Sequence, residues 1–415
     1  MALADTTEQN QTEQGTLDRR IWLALMGLYV AQAIPLYLVA AALPPFLRSQ
    51  GVNLAAIGSF AILMLPWVFK ALWAPWIDRL SALPRVGRKG VVLGTQLAVF
   101  GSIVALSFLD PLADLSLFFP LLMVMSFAAA TQDIATDGYA VEHLPPQKQS
   151  GGNAIQSGAV ALGVLLGGSG TLILFDLTGW QFALLSAGGL SMLSVVAFLM
   201  VPETLGRRHQ RQTQDRPRLR RFFAREGALM IFAFALIFRL PEGLIQALEQ
   251  SFLVDMGFSL SQIGLISGGS AACVGLFGAV FGMLVINRSG LAAFFVTIVV
   301  LRTVIFGLYG YAAAHGLPLE MLVALSFLKT FSRYMEMVGL YTAFMRVASL
   351  AQAGTDFTIL SSANLFVYMV GSMLAGVLAQ SWGFAPVFTL AAILSAFTGF
   401  VSLRLFRRSL ANEEQ

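Results

Sequence analysis

Gln132, Asp133, Ile134, Ala135, Thr136, Asp137, Gly138 and Tyr139 place two carboxylates near the end of an apolar run that begins at about Leu117. An aspartate at the centre of a bilayer costs about 3 kcal/mol on insertion scales, so a carboxylate there faces a cavity or a partner. At about 100° per residue, Gln132, Asp133, Thr136, Asp137 and Tyr139 share one broad helix face. That face reads as the wall of a water-accessible path along which carboxylates take up and release protons. The alternative is that Asp133 and Asp137 only pin neighbouring helices together. A later apolar segment carries Arg239, Glu242, Gln246, Glu249 and Gln250 over roughly 100° of one face, and another carries Lys329, Arg333 and Glu336 within about 60°. Arginine grips a carboxylate or phosphate with two hydrogen bonds, whereas lysine acts as a point charge. Arg239, Lys329 and Arg333 together suit an anionic solute.

These side chains sit in a chain of 415 residues that is 57% hydrophobic and 12% charged. A soluble globular chain carries roughly 25% charged residues, so this composition marks a polytopic membrane protein. The one cysteine, Cys273, excludes an intrachain disulfide, and no Cys/His cluster has metal-ligand spacing. His143, His209 and His315 all lie near segment ends. No P-loop, nucleophile elbow or zinc motif is visible, which argues against a membrane enzyme. The net charge of +4 is no nucleic-acid signal, because most cations flank membrane segments.

Twelve spans are expected near 21–43, 54–76, 90–109, 117–141, 153–175, 181–201, 227–250, 262–285, 290–312, 318–345, 357–380 and 385–406. Each is long enough for about 30 Å of hydrocarbon. Residues 1–18 are polar and read as a disordered tail. The division is then a six-helix bundle over 19–201, a basic linker over 202–226, a second six-helix bundle over 227–407 and a tail over 408–415. The linker reads as a solvated tether near anionic lipid. Of the 26 lysines and arginines, Arg48 alone falls in a loop on the far side, and Lys70, Arg239, Arg302, Lys329 and Arg333 fall inside spans. The rest share one side, so the positive-inside rule puts both termini in the cytoplasm. Gly163, Gly167, Gly168, Gly170, Gly371 and Gly376 read as close-packing surfaces.

The connection after the second span reads Trp73-Ala74-Pro75-Trp76-Ile77-Asp78-Arg79, then Val86-Gly87-Arg88-Lys89-Gly90. It resembles the signature loop of the major facilitator superfamily, Gly-x-x-x-Asp-Arg/Lys-x-Gly-Arg-Lys/Arg, with the leading glycine replaced and extra residues before Gly87. Two six-span halves joined by a basic linker match that superfamily, whose bundles rock about a midplane site. Together with Lys70, the Gln132–Tyr139 segment and the glycine-rich run from Gly151 to Gly170, the first half looks like the muropeptide-permease and acetyl-CoA-transporter group. Muropeptide permeases have extra spans that this chain lacks. By length and by its Gln132-Asp133-x-x-x-Asp137 segment it looks most like the twelve-span siderophore permeases of the rhizobactin and pyochelin type.

The resemblance implies an all-α fold, twelve transmembrane helices in two six-helix bundles, in a bacterial inner membrane. It also implies that the first, fourth, seventh and tenth helices line a central cavity, and that Asp78 pairs with basic groups at a cytoplasmic gate. The expected substrate-binding residues are Gln32, Tyr37, Gln132, Tyr139, Arg239, Gln246, Lys329 and Arg333. Proton coupling falls to Asp133, Asp137, Glu242 and Glu336, and gating to Lys70, Asp78, Arg79, Arg88 and Lys89. Lys70 is also a partner for Asp133 or Asp137, and Arg302 serves helix packing.

The expected activity is proton-driven uptake of a ferric siderophore by alternating access. Muropeptides or another large anionic metabolite are the second reading, and an anion or drug exporter the third. Cationic drugs need an acidic cavity, whereas segments seven and ten mix three cations with three carboxylates. No catalytic residue, metal site or cofactor is expected beyond the proton gradient, iron entering only within a chelated substrate. The expected partners are a small anionic molecule and the lipid bilayer, with no nucleic acid, and the protein is expected to be a monomer.

Overall fold

Apolar runs of this length satisfy their backbone polar groups internally in lipid only as helices. In the computed structural model, which describes residues 2–50, 60–110, 113–201 and 216–413, every regular element is helical. The fold is the expected one of two six-helix bundles.

The first span is α1 (Ala2–Tyr37), which passes through a π-helical turn (Leu38–Ala42) into α2 (Leu43–Ser49). Pro35 has no N–H to donate, and the wide turn begins three residues after it. Where a disordered tail is expected, residues 2–18 continue α1. Helix propagation from an existing span is far easier than nucleation, and this segment has no proline to stop it. The helix likewise continues past 408 at the other end.

The second span is broken. The part before residue 60 lies outside the described residues. A 3-10 turn (Phe60–Met64), α3 (Leu65–Phe69), a second 3-10 turn (Lys70–Leu72) and α4 (Ala74–Ala82) follow. Pro66 and Pro75 sit in the first turns of α3 and α4, where a missing N–H is tolerated. The remaining spans of the first half are α5 (Gly87–Ser107), α6 (Leu115–His143), α7 (Gln149–Gly163) continuing into α8 (Thr171–Thr178), and α9 (Trp180–Ser194) with α10 (Val196–Leu199).

Linker residues 202–215 lie outside the described residues. The described part contains α11 (Leu219–Phe223) and is tied down by side-chain contacts. Arg225 pairs with Asp356 at 2.9 Å and donates to the Val347 carbonyl at 3.0 Å.

The seventh span breaks at Arg239, between α12 (Ala228–Phe238) and α13 (Leu240–Asp255). Pro241 cannot donate to the preceding turn, so the ladder opens there. After α14 (Leu260–Ser267), spans eight and nine are two arms of one run, α15 (Gly269–His315), reversed at Gly290. Gly290 has φ +79°, which glycine alone adopts freely. The chain ends with α16 (Leu319–Val347), α17 (Ala353–Trp382) and α18 (Phe384–Glu413).

Nine described helical runs are long and apolar enough to cross a membrane. The difference from twelve has three sources: the broken second span, the merged eighth and ninth spans, and the charges Lys329, Arg333 and Glu336 on α16.

The apolar core shows how the halves meet. At the end carrying Arg19, Arg85, Lys148 and Arg225, called here the basic end, one cluster runs from Leu28 and Ala135 across to Phe344 and Phe357. At the opposite end each half has its own cluster, built on Phe118 and Leu184 in the first and on Phe252, Tyr309 and Phe388 in the second.

Candidate substrate chamber and gate

Lys70 and Arg239 each occupy the C-cap of a broken helix. Carbonyl groups left over at such an end favour a cation. Both cations line one chamber of about 190 Å³ between the halves, walled by spans one, two, four, five, seven, ten and eleven.

On the first-half wall, Lys70 is ion-paired with Asp133 and lies 3.8 Å from Asp137. Gln32 donates to Asp133 at 2.7 Å. Asp137 accepts from Tyr29 at 3.3 Å and from Gln156 at 3.2 Å, and its buried Oδ2 has no hydrogen-bond donor. On the second-half wall, Arg239 Nε donates to Glu242 at 2.8 Å and Nη1 to Asn364 at 3.3 Å. Its guanidinium stacks 4.8 Å above the Tyr368 ring. Arg333 Nε lies 3.2 Å from the other Glu242 oxygen. The Arg333 side chain is 27% exposed against 6% for Arg239, so Arg333 is the more open of the two chamber arginines.

Three cations and three carboxylates therefore form two clusters. The first-half cluster holds one lysine and two aspartates, and the second-half cluster holds two arginines and one glutamate. Bringing opposed pairs to one wet space is how ionisable groups are tolerated at lipid depth.

The basic end is closed by contacts between the halves. Asp78, 1% exposed, accepts from the Thr355 amide and hydroxyl, both at 2.7 Å. The same carboxylate accepts from Arg88 at 3.1 Å, and Arg88 forks onto Glu142 at 2.9 and 2.5 Å. Gly138 makes room for that guanidinium, since a Cβ there would sit 2.5 Å from its carbon. Ser150 donates to Asn287 at 2.6 Å in a second crossing contact. The two contacts use similar sequences at equivalent helix starts, Gln149-Ser150-Gly151-Gly152-Asn153 on α7 and Gln352-Ala353-Gly354-Thr355-Asp356 across the start of α17. Arg79 donates to the Pro217 carbonyl at 2.6 Å, and Lys89 to the Leu199 carbonyl at 2.6 Å.

Of the residues singled out from the sequence, Gln32, Tyr37, Lys70, Asp133, Asp137, Arg239 and Arg333 line the chamber. Asp78, Arg79, Arg88 and Lys89 lie at the basic end. Lys70, expected among the gating residues, lies instead in the chamber wall, because span two breaks at that residue. Gln132 and Tyr139 are not in the chamber. Gln132 is fully buried, and Tyr139 stacks on His143 with ring centres 4.0 Å apart and meets Phe198 edge-on. Relative to Asp133 and Asp137, these two side chains point about 100° or more around the helix, toward its neighbours. Lys329 and Gln246 are not in the chamber either. Lys329 pairs with Glu249 and donates to Gln246 at 2.6 Å, within the second bundle. Glu336 accepts from Arg302 at 3.0 Å, beside the chamber rather than in it. Arg302 also caps the Phe238 carbonyl at 3.0 Å, which holds the break in span seven.

Sequence reasoning passed over Tyr29, Trp67, Gln156, Tyr341, Asn364 and Tyr368, all in the chamber wall. Met337 and Tyr341 follow Arg333 at helical spacing, so an i, i+4 reading from that charged residue reaches them, whereas Asn364 and Tyr368 lie on a span with no mid-membrane charge.

The family model of the Major Facilitator Superfamily matches residues 25–250. The chain belongs to this superfamily, and it is a multi-pass membrane transporter rather than an enzyme. The chain is 26% identical over 392 residues to the anhydromuropeptide permease of Escherichia coli K12, covering 93% of this chain and 79% of the permease. Its fold is similar to that of the human organic anion transporter MFSD10, with a TM-score of 0.70 and 19% identity over 92% of this chain and 99% of that one. It is equally similar to the proton:xylose symporter XylE, with a TM-score of 0.70 and 13% identity over 93% of this chain and 95% of that one.

Proposed function

We propose that this transporter moves a large anionic, ring-bearing solute of the anhydromuropeptide class through a bacterial inner membrane, coupled to protons. The observation that carries the reading is the Arg239–Arg333 pair on one wall facing the Lys70–Asp133–Asp137 cluster on the other. The arginines hold a carboxylate, and Trp67, Tyr37, Tyr341 and Tyr368 offer flat faces to sugar rings. The similarity to an anhydromuropeptide permease supports this cargo over the ferric siderophore expected from chain length and the Gln132–Asp137 segment.

Charge balance supports proton coupling. Lys70, Arg239 and Arg333 offset Asp133, Asp137 and Glu242, so an arriving carboxylate leaves the chamber one negative charge in excess. A proton on Asp137 restores the balance. Asp137 is the candidate because its contact with Lys70 is 3.8 Å, whereas Asp133 is in direct contact. The basic end is read as cytoplasmic by the distribution of lysine and arginine. With that end shut, the chamber faces outward and the cycle proceeds by alternating access. The chamber volume of about 190 Å³ requires the opposite end to widen when a disaccharide-peptide enters.

The test is uptake of labelled anhydromuropeptide into vesicles reconstituted with the purified protein. Accumulation under an inward proton gradient, abolished by Arg333→Gln and uncoupled from the gradient by Asp137→Asn, is expected. Uptake no greater than in empty vesicles removes this cargo.

A further inference from the structure

A second polar cavity lies inside the second bundle, behind the chamber wall. It is lined by Glu242, Arg302, Lys329, Ser332, Arg333 and Glu336, and leaves about 10 Å³ in which the centre of a water molecule fits. That is room for one water. Four buried polar atoms on its walls have no hydrogen-bond partner: Arg302 Nη2, Arg333 Nε, Glu242 Oε1 and Glu336 Oε1. Arg333 Nε and Glu242 Oε1 are 3.2 Å apart but misaligned, so each keeps an open position. Two donors and two acceptors around one such space are the partners a buried water needs.

We infer that one structural water occupies this cavity, bridges Glu242 to Glu336, and makes Glu336 a proton-accepting site outside the substrate chamber. This deepens the reading of a proton-coupled carrier and rests on it. The groups around Glu336 differ in how firmly they are held. Glu242 faces two guanidiniums, Arg239 and Arg333. Lys329 is occupied by Glu249 and Gln246. Arg302 gives Nε to Ser395 and Nη1 to both Phe238 and Glu336. Glu336 has one oxygen on Arg302, and its other oxygen, Oε1, has no hydrogen-bond partner.

A proton arriving from the chamber passes to the water as the water releases another to Glu336 Oε1. Glu336 becomes neutral, the water is regenerated, and Arg302 loses its counter-charge. Arg302 still holds the Phe238 carbonyl, one residue before Arg239. The charge on Glu336 is thereby transmitted to the helix break that aims the chamber arginine. This site uses only groups in the second bundle, and it acts alongside Asp137 on the opposite wall rather than in its place.

Infrared difference spectroscopy of the purified protein in lipid, titrated without any solute, tests the inference. Acidification should raise a protonated-carboxyl band that is lost in Glu336→Gln, and exchange into H2(18)O should move a sharp buried-water band. Ser332→Val, which grows a branched side chain into the cavity, should abolish the water band while leaving the helical amide bands in place. If Glu336→Gln does not fold, Ser332→Val alone decides. Wild-type and Glu336→Gln difference spectra that superimpose, or a water band that survives Ser332→Val, overturn the inference. No cargo is used, so a wrong choice of solute leaves this result unaffected.

Discussion

Asp78→Asn should loosen the closed gate by about 3 kcal/mol, a figure that follows from which bonds cross between the halves. Arg88 and Glu142 share a bundle with Asp78 and keep each other whether the gate is open or shut. Only interactions that differ between two states shift their balance. Those are the bonds from the Thr355 amide and hydroxyl, both 2.7 Å and both ending on the carboxylate. A hydrogen bond to a charged group contributes about 1.5–3 kcal/mol, and a neutral one about 1 kcal/mol. Asparagine presents one oxygen and one NH2. If the oxygen faces Thr355, the NH2 faces the Arg88 donor, and both Thr355 bonds become neutral ones to a single amide oxygen. The difference of about 3 kcal/mol is roughly a 150-fold change in the closed-to-open ratio. Thr355→Val removes the hydroxyl bond alone and should cost about 1.5–2 kcal/mol, or roughly 20-fold. The assay is pulsed electron-electron distance measurement between spin labels at Leu83 and Leu350, exposed positions of opposite halves at the basic end. Cys273 is exposed and is replaced by serine first. The long-distance population should rise from wild type through Thr355→Val to Asp78→Asn. Three identical distributions would refute the assignment of this contact as the gate.

Two further outcomes follow from the same geometry. Lys70→Met strands Asp133 and Asp137 together and should destabilise the first bundle by about 3–5 kcal/mol, whereas Lys70→Met with Asp133→Asn should recover most of that; thermal unfolding in detergent measures both, and simple additivity of the two losses would contradict the pairing. Gly138→Ala pushes a methyl group into the Arg88 guanidinium of the same bundle, so it should cost about 1–3 kcal/mol of stability in thermal unfolding, while Gly94→Ala, which meets nothing within 4 Å, should not.

What the sequence reveals and what it withholds divide along a physical line. Span count and the two bundles follow from run length and hydropathy, because lipid leaves the backbone no choice but helix. The charged positions are legible for the same reason: Asp133, Asp137, Arg239 and Arg333 are too expensive at that depth to lack a cavity or a partner. Which of those two a residue has is not written in its own segment. Lys329 and Arg333 lie one turn apart on α16, about 6 Å along the axis. Arg333 opens to the chamber and Lys329 is taken by Glu249 from α13, because the neighbouring helices present different groups at the two depths. Gln132 and Asp133 are adjacent, yet a step of about 100° separates a wall facing water from one facing helices. Breaks in the helices set the rest. Pro75 and Pro241 could be read as interruptions, but that Lys70 and Arg239 would sit at the broken ends requires knowing where each ladder reopens. A cation placed there gains from unpaired carbonyls and moves when the half-helices move. Two of the three chamber cations are thus held at helix breaks, and an unbroken span two or seven would carry Lys70 or Arg239 on a continuous ladder without those free carbonyls.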